Sequence, residues 1–410
     1  MTILQVGAGN VGWAVAHKLA ECHGELGDIV IASRTRSKSE RIIASVRRRR
    51  DAATASARIT AEELDATDVD TLARLVDATG PSLVVNVGPP WINVAVMEAC
   101  VRAGASYLDT SVAVDLCSAG QTVPFAYDPQ WAFRQRFEAA GLTGILGTGF
   151  DPGVVSAFAT YAGRHLVDEI ESIDVMDVNA GDHGRSFATN FDPETNLLEI
   201  QGDSFYWEDG CWRQVPCHSR RREFDFPVVG RHTVYSMAHD EVRSLVEFVP
   251  ARRVEFWMGF TDRYLRYFNV LRDVGMLSPE PVAVGAGVTV SPLRVLKAVL
   301  PDPTSLAEEY TGQTCIGTLV AGTQGSVPRA VFLYNVCDHA DAYREIGCQA
   351  ISYTTGVPAV TAALLHHRGP WSGAGLFNVE QLDPDPFLSL LPELGLPWDV
   401  MEVPMTEVRP

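Results

Sequence analysis

The run Gly7-Ala8-Gly9-Asn10-Val11-Gly12 limits what this chain can fold into more than any other feature. It follows an apolar strand signal, Ile3–Val6, and it opens a helical segment. Within Asn10–Cys22, residues Val11, Val15, Leu19 and Cys22 recur at the spacing of one helix face. A G-x-G-x-x-G placed between strand and helix is the phosphate turn of a dinucleotide-binding βαβ unit. In that role Gly7 allows the tight turn and Gly9 lets the backbone approach a pyrophosphate. Asn10 and Val11 begin the helix whose N-terminus faces the anion, and Gly12 lets helix and strand pack closely. A glycine-rich turn without a ligand is the plainer reading, but the position at the head of a βαβ series argues for the nucleotide.

That series continues. Strands are predicted at Asp28–Ser33, within Ala57–Leu64, and at Ser82–Val87, Ser106–Leu108 and Thr143–Leu146. Helices are predicted at Ser37–Arg50 and Trp91–Ala103. Alternating units with nearly continuous apolar strands describe a parallel sheet covered on both faces. The end of the second strand selects the coenzyme. An NAD site normally carries a carboxylate about 20 residues after the glycines. Here the chain reads Ala32-Ser33-Arg34-Thr35, followed by Arg36 and Lys38. Ser33 and Thr35 can hydrogen-bond a 2′-phosphate, and Arg34 and Lys38 can pair with it, so NADP(H) is expected. Asn86, Gly88 and Pro89 close the fourth strand, and Asp109 and Thr110 the fifth. Both loops belong at the carboxyl edge that lines a nucleotide crevice. Each can also be an ordinary turn, and Arg47–Arg50 reads as a solvated helix end.

The net charge of −18 argues against a nucleic-acid partner and suits a cationic substrate or simply a soluble acidic surface. The eight cysteines, Cys117 among them, are scattered without a CxxC pair and read as free thiols, with no metal site expected. Apolar runs are too short for a membrane helix, and strand signals start almost at Met1, so the expected location is the cytoplasm.

After Gly149 the pattern changes. Strand-like runs at Ile173–Val178, Phe205–Trp212 and Val254–Met258 suit an α+β domain with a largely antiparallel sheet. Tyr343–His366 becomes helical again, with Pro358 expected to break or kink it, and Leu382–Trp398 reads as irregular. The organisation expected is a nucleotide domain over 1–148, a second domain over 149–345 and a C-terminal segment over 346–410.

Several blocks carry a resemblance. They are Gly149-Phe150-Asp151-Pro152-Gly153, Asp177-Val178-Asn179-Ala180-Gly181-Asp182-His183-Gly184, Phe187-Ala188-Thr189-Asn190-Phe191, Leu296-Lys297-Ala298, Asn335-Val336-Cys337-Asp338-His339 and Ser352-Tyr353-Thr354-Thr355-Gly356. Together, over nearly the whole chain, they resemble the carboxynorspermidine/carboxyspermidine dehydrogenases of the saccharopine dehydrogenase-like superfamily. Gln201–Pro227 matches loosely, which leaves the amine specificity open. The resemblance implies an α/β fold: a Rossmann domain, an inserted α+β domain for substrate and dimer contacts, and a C-terminal segment returning to the first domain. It also implies a reaction, in which 1,3-diaminopropane or putrescine condenses with aspartate β-semialdehyde and NADPH reduces the imine.

Such chemistry needs a base for the amine and an acid for the departing water. Asp151, beyond the sixth strand, is the first candidate, although it can simply hold its turn. Asp182 and His183, in a glycine-flanked loop, are the others. Asn179, Asn190 and Lys297 are candidates for holding the amino-acid end, and Tyr353 and Thr354 for lining the crevice. Asp338 and His339 read as structural, and Tyr206, Trp207 and Trp212 as core. Two rival readings remain: a saccharopine reductase-type condensation of an amino acid with a semialdehyde, and a catalytically silent NADP-binding regulatory protein.

Overall fold

The computed structural model describes residues 1–49, 56–113 and 126–408. Arg50 and Cys117 lie outside the described residues. The first six strands are β1 (Thr2–Val6), β2 (Asp28–Ser33), β3 (Ile59–Glu63), β4 (Leu83–Asn86), β5 (Ser106–Asp109) and β6 (Thr143–Leu146). Twelve more follow: β7 (Glu169–Asn179), β8 (Ser204–Glu208), β9 (Cys211–Val215), β10 (Arg221–Phe226), β11 (Gly230–Met237), β12 (Arg253–Gly259), β13 (Val282–Gly285), β14 (Val288–Val290), β15 (Gln313–Gln324), β16 (Val327–Asp338), β17 (Gly375–Asn378) and β18 (Asp399–Glu402).

Seven strands form one parallel sheet in the order β17-β6-β5-β4-β1-β2-β3. The order reverses between β1 and β4, so their carboxyl ends splay apart and open the crevice expected for a nucleotide. The second sheet is mixed, in the order β10-β11-β12-β7-β15-β16-β18, with β8 and β9 attached through β12. Within it β7 and β12 run parallel, whereas β7 and β15 run antiparallel. A separate hairpin pairs β13 with β14.

One apolar core joins the two sheets. It contains Ile3, Ile29 and Val85 from the first sheet, Ile173, Val175 and Ile316 from the second, and Val154, Phe158, Val357 and Val360 from two helices. Those helices are Val154–His165 and Ala350–Arg368. The second is apolar all round, and 14 of its 19 residues are buried, as a helix enclosed by protein must be. The far faces of the two sheets have cores of their own, around Leu4, Val84 and Tyr107 in one and Met176, Phe224 and Trp257 in the other.

Four local expectations change. The helix Ala350–Arg368 runs unbroken through Pro358, because packing on every side outweighs the loss of one backbone N–H. The segment predicted as one helix at Tyr343–His366 is two, His339–Ile346 and Ala350–Arg368, and the first ends at Gly347 in a left-handed conformation. Phe205–Trp212 is a hairpin, β8 and β9 turning at Asp209-Gly210. Within the tail, Pro384–Leu390 is helical, with Asp383 accepting from the Asp385 N–H as its cap. The tail serves both sheets, since β17 lies beside β6 and β18 beside β16.

Candidate active site

The nucleotide crevice is built from local geometry. Gly7 has φ +115°, and a Cβ there would lie 2.7 Å from the Val87 carbonyl oxygen. A Cβ on Gly12 would lie 2.4 Å from the Gly7 carbonyl oxygen, whereas one on Gly9 would meet nothing within 4 Å. Two of the glycines therefore permit close packing, and the third leaves open space where a pyrophosphate would rest. Gly9 caps the helix Asn10–Glu21 without a side-chain bond, so the orphan N–H groups of its first turn remain available to an anion. At the end of β2 the Arg34 and Lys38 side chains are exposed. The Ser33 hydroxyl donates to the Thr35 carbonyl at 2.9 Å and lies 2.9 Å from the Ser39 hydroxyl. The residues present fit a 2′-phosphorylated dinucleotide. The second half of the chain reaches this crevice too: the Thr304 hydroxyl donates to Asn10 Oδ1 at 2.5 Å.

Asn86 and Asp109 point inward instead. Asn86 Nδ2 donates to Asn93 Oδ1 and to the Tyr107 hydroxyl. That hydroxyl donates to Asp109 Oδ2 at 2.8 Å, where Gln130 Nε2 also donates, and the Gly147 N–H donates to Asp109 Oδ1. Burial pushes the Asp109 carboxyl up to about 7 against these bonds. The pair braces the β4, β5 and β6 ends.

Beyond β6 the chain doubles back, Gly149 bridging to Gly153, and presents Asp151. Asp151 feels charges that arrive from three other segments. Asp177 comes from the end of β7, on the face shared with Ile173, Val175 and Asn179. Glu199 comes from the helix Pro193–Gln201. His239, Asp240 and Glu241 come from the start of the helix that follows β11. His239 stacks on Phe256 of β12, with ring centroids 3.9 Å apart and planes at 12°. Its Nδ1 lies 2.5 Å from Glu241 Oε2 and its Nε2 lies 3.1 Å from Glu199 Oε1. Burial works against an imidazolium here, but Glu241 and Glu199 outweigh it and hold the His239 pKa well above its ordinary value. Burial, then the neighbouring Asp177, raises Asp151 far above the carboxylate range. Burial, then Glu241 and Glu199, brings Asp177 to about 7 against the pull of His239. Asp240, which accepts from the Val112 N–H at 2.7 Å, is likewise pushed to about 7, first by burial.

The remaining candidates divide into two groups. Asn179 and Asn190 are joined through Tyr310, since Asn179 Nδ2 donates to the Tyr310 hydroxyl at 2.6 Å and that hydroxyl donates to Asn190 Oδ1 at 2.8 Å. The ring of Tyr310 stacks on His339 at 3.7 Å and meets His183 edge-on at 5.3 Å. His339 Nδ1 accepts from the Ala350 N–H and its Nε2 donates to Asn179 Oδ1, an arrangement for a neutral ring; burial lowers its pKa to about 3. His183 sits at the rim of this network, its pKa lowered first by burial, with Arg263 and Arg185 adding to the effect. Asp182 is exposed, accepting from the Gly184 N–H and lying 3.6 Å from Arg263.

Lys297 lies apart, with Nζ 2.7 Å from Asp192 and 3.2 Å from Glu194. Tyr353 donates to Glu345 Oε2 at 2.8 Å under the Lys18 ammonium, and the Thr354 hydroxyl donates to the Ile351 carbonyl within its own helix. Asp338 caps the helix His339–Ile346. Sequence reasoning passed over Glu199, His239, Asp240 and Glu241, and quoted Asp177 without a role. The available signals were the period-two face that Asp177 shares with Asn179 and three adjacent titratable residues at a helix start.

A parallel nucleotide-binding sheet joined to a second sheet that backs a cluster of buried titratable groups defines a two-part NADP-dependent oxidoreductase. The model of the saccharopine dehydrogenase NADP binding domain matches residues 3–145, and that of the saccharopine dehydrogenase C-terminal domain matches residues 149–396. The chain belongs to the saccharopine dehydrogenase family. It is 63% identical to a carboxynorspermidine synthase of Vibrio alginolyticus and 61% identical to one of Vibrio cholerae, in each case across 98% of this chain and 97% of the relative. It is 43% identical to a carboxyaminopropylagmatine dehydrogenase of Synechocystis sp., across 97% of this chain and 96% of the relative. Saccharopine dehydrogenase (L-Glu forming) from Saccharomyces cerevisiae shares the fold, with a TM-score of 0.72 across 98% of this chain and 100% of that one at 15% identity. Among the described residues no helix is long and apolar enough to cross a membrane.

Proposed function

We propose that this chain is a carboxynorspermidine synthase-type enzyme. It joins 1,3-diaminopropane to L-aspartate β-semialdehyde and reduces the imine to carboxynorspermidine, with putrescine as the alternative diamine. The observation that carries this reading is the 63% and 61% identity to two carboxynorspermidine synthases over 98% of the chain. The same identity favours it over the saccharopine-type condensation, whose solved relative is only 15% identical. A cluster rich in carboxylates also suits an amine better than an amino acid. When bound, NADPH supplies the hydride that ends on the imine carbon.

The residues of the chain have four tasks. A diamine arrives as an ammonium ion, and one nitrogen must lose a proton before it attacks the aldehyde; Asp177, at about 7, is an acceptor matched to neutral pH. The carbinolamine hydroxyl must leave as water, and the carboxyl of Asp151, held protonated by burial and by Asp177, is the donor placed beside the nucleotide sheet. Arg185 and Arg263 at the His183 rim supply cations for the α-carboxylate of the semialdehyde; Asn179 and Asn190 hold the loop that carries Arg185, and Arg263 comes from the helix Asp262–Asp273. Lys297 is already paired with two carboxylates, and Asp182 serves the rim through Arg263. Ser33, Arg34, Thr35 and Lys38 hold the 2′-phosphate, and Gly7, Gly9, Asn10, Val11 and Gly12 hold the pyrophosphate. The working unit is a cytoplasmic homodimer.

The test is NADPH oxidation by the purified protein, with product identified by mass. Oxidation requires the semialdehyde and a short diamine together and yields carboxynorspermidine. Equal oxidation with the semialdehyde alone would make the protein an aldehyde reductase, and efficient replacement of the diamine by glutamate would make it a saccharopine-type enzyme.

A further inference from the structure

The cluster around Asp151 has a charge balance that its described residues leave unfinished. Among the described residues, and apart from burial, His239, Glu241 and Glu199 act on Asp177, one cation against two anions. The same set acts on Asp151 with Asp177 added, and on Asp240. The single cation is spent on the glutamates, because the His239 ring uses both nitrogens on Glu199 and Glu241. A second observation is independent of this count. The Glu241 side chain is wholly buried; its Oε2 meets His239, but its Oε1 has no hydrogen-bond partner. A buried carboxylate oxygen without a donor costs about 1–3 kcal/mol, more when charged, and native proteins rarely leave one unless something else supplies the donor. Aromatic rings border the cluster: Phe256 lies under His239, and Tyr264, whose hydroxyl feels Glu199, stacks between Phe187 and Phe260. Carboxylates beside aromatic faces are the environment an alkylammonium prefers.

We propose that Glu199 and Glu241, behind Asp177, form the seat of the diamine's distal ammonium, and that His239 is the positioning residue that holds the two glutamates in place for it. The proposal rests on the diamine reading of the site. The attacking nitrogen then lies toward Asp151 and the nucleotide crevice, and the second nitrogen donates to the inner carboxylates, including Glu241 Oε1. His239 bridges the helix that carries Glu199 and the helix that carries Glu241, so its loss separates the two anions without removing either. Seating a cation beside protonated carboxylates favours their ionisation, so binding releases protons.

Two measurements decide this. The first is the ratio of kcat/KM for 1,3-diaminopropane to that for propylamine, with NADPH and semialdehyde saturating. Glu199→Gln and Glu241→Gln should each lower this ratio on the order of tenfold to a hundredfold, mainly through the KM for the diamine. His239→Gln should lower it by a smaller factor, while the NADPH Kd reports that each variant is folded. The second uses the unmodified protein loaded with NADP⁺, so it stands even where a buried variant fails to fold. Calorimetric titration with 1,3-diaminopropane at pH 7, in two buffers of different ionisation enthalpy, should show on the order of one proton released per diamine bound. An unchanged ratio in folded variants overturns the proposal, and so does diamine binding without proton release. If the unmodified protein turned over no diamine with the semialdehyde, the reaction reading would fail, while the calorimetric result would still decide the ammonium seat.

Discussion

Asp174 and Asp177 are three residues apart on β7 and project from opposite faces of the same sheet. Asp174 is wholly buried and saturated. Trp257 Nε1 donates to it at 3.0 Å, Arg253 at 2.7 Å and Arg222 at 3.4 Å, and Arg220 and Arg253 neutralise Glu255 alongside. The same arginines donate to the Glu407 and Val408 carbonyls and pin the chain's end to the sheet. Among the described residues no arginine or lysine acts on Asp177, and His239 is its cation. One buried carboxylate is surrounded by fixed donors, and the other lacks them. The contrast separates a charge built to hold a fold from a charge held ready for a ligand, although the strand and residue type are shared.

The sharpest way to break the contrast is Asp174→Asn. It leaves Arg222 and Arg253 buried beside a neutral group and should cost about 3–5 kcal/mol in denaturant unfolding. A loss below ~1 kcal/mol would erase the distinction between the two faces. On the other face, Asp151→Asn should lower turnover at saturating substrates on the order of a hundredfold or more, with the NADPH Kd unchanged. Normal turnover would reduce Asp151 to a turn residue.

Smaller effects sharpen the comparison. Exchanging Arg34 for Asp should erase or reverse the preference for NADPH, a change on the order of tenfold to a hundredfold in relative kcat/KM. Equal use of both coenzymes by the unmodified protein would remove the 2′-phosphate pocket. The pH dependence follows from Asp177 and Asp240, both raised to about 7. They are neutral below that pH and charged above it, whereas the diamine remains an ammonium throughout. The diamine KM should therefore rise as pH falls from 8 to 6, and a flat profile would exclude their ionisation from binding. The mildest effect is on stability. Because the folded chain raises the Asp177 pKa from the ordinary carboxylate value to about 7, its ionisation opposes folding most fully above pH 7, and the opposition declines as pH falls from about 7 to about 4. Asp177→Asn should then stabilise the protein on the order of 1 kcal/mol at pH 8 and much less at pH 5, while diamine turnover falls.

The nucleotide half was legible because its signals are local. Gly7, Gly9 and Gly12 act within a single turn, and Ser33-Arg34-Thr35 lies at the end of one strand. The strand predicted within Ala57–Leu64 forms at Ile59–Glu63, and the run Asp28–Ser33 forms as predicted. Other local signals were readable but incomplete. Pro358 carries its usual penalty, yet the enclosed helix absorbs it. Asn86 and Asp109 sit where crevice residues belong, but their side chains turn inward to Tyr107 and Gln130.

By itself the sequence determined the parallel sheet, the glycine turn, the absence of an acidic ribose anchor and the family blocks, because each is written in neighbouring residues or in a fixed spacing. Only the tertiary structure decided the cluster. Asp151, Asp177, Glu199 and His239-Asp240-Glu241 are separated by tens of residues and lie on four kinds of segment. What makes them a unit is a shared low-dielectric space, which no local pattern encodes. The same reason separates Asp174 from Asp177: alternation along β7 puts them on opposite faces, but which face receives the arginines depends on how β12 is laid beside it and β10 two strands further out.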